Sequence, residues 1–162
     1  MARYMALDVG EVRIGVAVSD ATGFLASPYT TLHASRDERR TWAAIEQLIK
    51  ETGAEGLVVG LPISLDGQLH AQGERVRAFA RRLQAHIATP LILWDERFST
   101  VEAQRLLAER GQQEEWGKQR GRAGRRRTQS RRRGAQEIDA MAAAVILQDY
   151  LDHLGSTTGE KK

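Results

Sequence analysis

Two short runs, GLVVG at 56–60 and LILW at 91–94, contain no polar side chain. A strand without a polar face must be covered on both sides, which calls for a sheet with helices packed against it. The intervening segments have the matching period. Trp42, Ile45, Leu48 and Ile49 fall at helical spacing after Asp37, with Gly53 as the stop. Leu69, Val76, Phe79, Ala80, Leu83 and Ile87 mark a second amphipathic helix that ends at Thr89-Pro90. The chain must therefore build strand–helix alternation around one buried sheet.

The N-terminal stretch YMALDVGEVRIGVAVSD, residues 4–20, opens that sheet differently. It reads as two strands, 3–9 and 13–20, around a tight turn at Gly10-Glu11, and 24–33 supplies a third. After LILW, Ser99-Thr100-Val101-Glu102 has the spacing of a capping box and opens a helix to about Arg110. Residues 111–134 combine several glycines with few apolar side chains and are expected to form a mobile, Arg-rich loop. A last helix is expected over 136–152, followed by a polar tail over 153–162. The order predicts an α/β fold: one domain over 1–152, with a five-stranded mixed sheet, its first three strands antiparallel, flanked by helices. A length of 162 residues suits one core.

Three carboxylates sit where a simple core would not place them. Asp8 shares a strand face with Tyr4 and Ala6, opposite Arg13, Gly15, Ala17 and Ser19 on the next strand, a face small enough for a ligand backbone to approach. Asp8 either serves such a site or ends its strand and hydrogen-bonds the turn. Asp95-Glu96 follows directly on the LILW strand, at the strand end where alternating folds gather ligands. One of the two can serve the site while the other pairs with Arg97 or solvent. Asp139 has Ala142, Ala143 and Ile146 along its own helical stripe, so its charge falls on a packing face and needs compensation, by a metal ion or by the helix N-terminus.

With no cysteine, any metal must be held by oxygen or imidazole, and four scattered histidines favour oxygen. Carboxylates from a first strand, a later strand and a last helix suit a two-metal site of Mg²⁺ or Mn²⁺, the arrangement that cleaves phosphodiesters. No apolar stretch approaches the ~20 residues of a membrane span. No secretory leader pattern opens the chain, so a cytoplasmic protein is expected, without a membrane partner.

Charge is unevenly distributed. Residues 118–133, KQRGRAGRRRTQSRRR, hold nine basic residues and no acidic one, against 15 basic and 21 acidic residues elsewhere. Either the run is a solvated linker or it binds phosphates, with Arg125, Arg126, Arg127, Arg131, Arg132 and Arg133 as the contacts. Arg13 and Arg97 lie beside the acids in sequence and can reach phosphate or pair with a neighbouring carboxylate.

Taken together, LDVGEVRIGVAVSD, VVGLPISLDG, WDERFST and EIDAMAAAVILQ resemble the four sequence blocks of the YqgF-type pre-16S ribosomal RNA nucleases, also called Holliday-junction-resolvase-like proteins. The resemblance spans Arg3 to about Leu151. It implies an RNase H-like fold and a metal-dependent nuclease, with Asp8, Glu96 and Asp139 as catalytic acids and metal ligands, and Asp95 as the alternative to Glu96. The implied task is processing the 5′ end of the small-subunit ribosomal RNA precursor, with structured or precursor rRNA as partner; resolution of branched DNA is the alternative. Asp8 is expected to bridge both ions. Two rivals remain. A kinase- or actin-like ATPase uses a similar hairpin but needs two such domains, and a non-catalytic nucleic-acid-binding module would keep the fold without turnover.

Overall fold

The computed structural model describes residues 2–62, 69–95 and 127–158. Strand β1 (Tyr4–Val9) turns through Gly10 into β2 (Arg13–Ser19), and β3 (Ala26–His33) continues the meander. Helix α1 (Glu38–Thr52), strand β4 (Gly56–Leu61), helix α2 (Ala71–His86) and strand β5 (Leu91–Asp95) follow, and helix α3 (Arg127–Thr158) comes last. The strands lie in the order β3-β2-β1-β4-β5. β1, β2 and β3 pair antiparallel, whereas β4 lies parallel to β1 and β5 parallel to β4. This is the RNase H-like mixed sheet expected from the sequence.

Local chemistry fixes the ends of the elements. Asp37 caps α1 by accepting from the Arg39 backbone N–H at 3.1 Å. Gly53, at φ 69°, closes it with its N–H on the Ile49 carbonyl. The hairpin turn is closed by backbone, the Gly10 N–H donating to the Arg13 carbonyl at 2.9 Å. The Asp8 carboxylate is not needed to hold that turn.

Strand alternation divides the core into two layers. Met5, Leu7, Ile14, Val16, Leu57 and Val59 pack against α1 and α2 through Trp42, Ile45, Val76 and Leu83. On the other face Ala6, Ala17 and Val58 pack against α3 through Met141, Ala143, Ile146, Leu147 and Tyr150. On the central strands β1 and β2, Ala6 and Ala17 thus lie under α3, while Met5, Leu7, Ile14 and Val16 lie under the helix pair.

Helix α3 departs from expectation at both ends. The apolar pattern supports a helix only over 136–152, yet residues 127–134, expected as part of the loop, form its first two turns, and residues 153–158 continue it. Arg and Gln are good helix formers, and extending an existing helix costs far less than nucleating one. Scarcity of apolar side chains therefore did not imply a loop. The expected helix from Ser99 and residues 111–126 of the expected loop lie outside the described residues.

Candidate active site

Asp8 occupies the α3 face of β1, directly across from Gly15 of β2. A Cβ at Gly15 would stand 1.9 Å from the Asp139 carbonyl oxygen, so the backbone of α3 rests on the sheet at this glycine. The small face read as room for a ligand backbone is taken by the chain's own helix. That contact brings Asp139 to Asp8. Burial, and then the charge of Asp139, push the Asp8 carboxyl up from 3.8 to about 6.

Asp139 lies twelve residues beyond Arg127, well inside α3 rather than in its first turn. The helix macrodipole acts over the terminal turn and does not compensate its charge. Arg13 does: its Nε donates to Asp139 Oδ2 at 2.7 Å, with both side chains partly shielded from water. Of the two roles open to Arg13, carboxylate pairing is the one formed here. The pair joins β2 to α3 beside Asp8. A cavity of about 310 Å³ opens at this point, lined by Gly10, Glu11, Val12, Arg13 and Asp139.

The remaining expected residues divide into three groups. Asp95 ends β5, and alternation sets it opposite Trp94, whose side chain packs toward α3. Asp95 therefore faces away from the side of the sheet that carries Asp8. Glu96, Arg97, Arg125 and Arg126 lie outside the described residues. Arg127, Arg131, Arg132 and Arg133 fall on the first two turns of α3, between about 18 and 9 Å before Asp139 along the axis at the standard helical rise. Among the described residues, no group of three or more His, Asp or Glu side chains is assembled to hold a metal ion.

Two fastenings of α3 were not visible in the sequence. Trp94 Nε1 donates to Asp149 at 2.9 Å, and its ring meets those of Tyr150 and His153 at 5.3 and 5.0 Å. Gln148 accepts from the Ala26 N–H at 2.9 Å and donates to the Phe24 carbonyl at 3.1 Å. These contacts link residues more than fifty positions apart, and no local pattern signals them. They hold the helix on which Asp139 depends. Among the described residues, no helix is long and apolar enough to cross a membrane.

The family model described as "RuvX: Holliday junction resolvase" matches residues 2–153. A protein of Moorella thermoacetica named "Putative pre-16S rRNA nuclease" is 44% identical over 153 residues, covering 94% of this chain and 96% of that protein. A relative of the same name from Thermoanaerobacter pseudethanolicus is 39% identical, covering 93% of this chain and 96% of its own length. Among solved structures, T. thermophilus RuvC in complex with Holliday junction substrate aligns with a TM-score of 0.49 at 12% identity, covering 96% of this chain and 98% of that one.

Proposed function

The chain belongs to the RuvX family, and we propose that it is a divalent-metal-dependent nuclease that hydrolyses phosphodiester bonds, acting on the 5′ end of the pre-16S ribosomal RNA in the cytoplasm. The carrying observation is the meeting of Asp8 and Asp139 on a shielded stretch of sheet, where the first carboxyl is pushed up to about 6. A carboxyl whose charging is opposed by burial and by a neighbouring carboxylate forms with that neighbour a donor set that fits a hard cation. Asp8, Asp139 and Glu96 are the proposed ligands that would hold Mg²⁺ or Mn²⁺. When bound, the ions supply an activated water and neutralise charge at the leaving oxygen.

The chain's own residues orient that chemistry. Arg13 fixes Asp139 by occupying Oδ2, which leaves Oδ1 outside that bond. Gly15 sets the height of the helix above the sheet. The arginines of α3, together with Arg97, Arg125 and Arg126, are proposed to grip phosphates along the approach to the acids.

The names of the relatives favour precursor rRNA, and the family's description favours branched DNA as the second reading. A direct test incubates purified protein with a labelled 5′ precursor RNA and a four-way DNA junction, each with Mg²⁺, Mn²⁺ or EDTA, beside Asp8→Asn. Metal-dependent cutting of the RNA, lost in the variant, is expected. Cutting of the junction alone reverses the substrate assignment, and undiminished cutting by Asp8→Asn removes the metal site.

A further inference from the structure

A second cavity lies across the β1–β2 turn from the acids. It measures about 460 Å³, between the turn and α2, with Val9, Val76 and Phe79 as apolar wall and Gln72, Arg75 and Arg82 at its edge. That volume falls within the ~300–1,000 Å³ of small-ligand sites. It opens at the carboxyl end of β1, where strand–helix folds place their ligands.

Its chemistry combines an aromatic surface with two guanidinium groups. Phe79 is half-buried and packs against Trp42 with ring centroids 4.9 Å apart. Arg75 pairs with Glu11, and Arg82 forks onto Glu38 through Nε at 3.1 Å and Nη2 at 2.8 Å. All four side chains are at least 43% exposed, so these are screened surface pairs that another anion can replace at small cost. Fastening α2 to its neighbours explains the Arg82 pair. It does not explain an open cleft with an aromatic wall.

Gly10 and Glu11 line this cleft and also the smaller cavity at Asp139, so the two lie on either side of the same turn. Resting on the nuclease reading above, we propose that the cleft is a nucleotide subsite for the substrate strand. It takes one unpaired nucleotide beside the bond to be cut, with the base against Phe79 and Val76 and its phosphate on Arg75 and Arg82. Glu11 and Glu38 are released to solvent. A base can enter only if unstacked, so the substrate must be single-stranded on that side of the cut.

The test is a set of precursor RNAs, each lacking one base at a successive position around the cleavage point. With the wild-type protein, one position flanking the cut should lower kcat/KM about tenfold, the scale of a base–aromatic contact. That penalty should vanish in Phe79→Leu, which keeps an apolar side chain in the core, while penalties elsewhere persist. Arg75→Gln, a surface change, should raise KM on intact RNA and leave kcat at saturation unchanged. A penalty that survives in Phe79→Leu, or absence of any sensitive position while intact RNA is cut, overturns the subsite and leaves the nuclease reading standing. Failure of the wild-type protein to cut intact RNA or junction DNA overturns both. Adenosine monophosphate is the probe for a free nucleotide; inhibition by it at concentrations below the KM for RNA overturns the strand subsite in favour of a small effector.

Discussion

At Asp8 the unfolded chain and the folded chain want different protonation states. The carboxyl titrates near 3.8 when solvated and near 6 in the fold. The folded state therefore binds the proton more tightly, and without a cation its stability is full below about pH 4 and falls as pH rises through 6. Asp8→Asn has no such proton to lose, so in EDTA at pH 7 it should be more stable than the wild type by up to about 3 kcal/mol. Melting curves from pH 4 to 7.5 check this; equal pH profiles for the two proteins would show that Asp8 carries no raised pKa. Gly15 gives the opposite outcome. Gly15→Ala drives a methyl into the backbone at Asp139, which cannot turn aside as a side chain would. A loss of about 3 kcal/mol or more in urea denaturation, with lost cleavage, is expected.

At the level of the element, α3 couples a basic N-terminal half to an apolar C-terminal half that lies on the sheet. The arginines need the helix for spacing, and the helix needs the sheet for stability. Replacing Arg131, Arg132 and Arg133 with Gln keeps helix propensity close to that of Arg while removing charge. Log affinity for single-stranded RNA plotted against log salt should flatten by about two units if all three meet phosphate, with kcat at saturation little changed. An unaltered slope measured by fluorescence anisotropy would assign phosphate binding to another surface. Trp94→Phe tests the other end of the helix. Loss of the hydrogen bond to Asp149 should cost about 1 kcal/mol in the same denaturation assay.

Across the whole molecule, the two faces of the sheet do different work. The face under α1 and α2 holds the large aliphatic side chains and the cleft beside Phe79, while the face under α3 brings the acids together. A cation bound only by the folded acid pair must raise stability by mass action. Millimolar Mn²⁺ or Mg²⁺ should therefore raise Tm at pH 7 in the wild type and leave Asp8→Asn unmoved. An equal rise in both proteins would place the bound ion elsewhere.

The architecture was legible because it follows from local periodicity. GLVVG required cover on both faces and has it, Gly10 placed the hairpin, and Asp37 and Gly53 bounded α1; LILW, expected as an equally buried strand, is instead the edge strand β5, with Leu93 38% exposed. Asp8 and Asp139 were legible as misplaced charges, and their neighbours in sequence sufficed for that. What could not be read locally was how α3 meets the sheet. The sequence offered Gly15 as open space, whereas it is the seat of the helix backbone; it left Arg13 between phosphate and carboxylate, whereas it pairs with Asp139. It ended the last helix at the limits of its apolar stripe, although arginine propagates a helix without one. Periodicity records which residues share a face. Only the folded chain decides which face meets which, because that depends on the volume left between side chains distant in sequence.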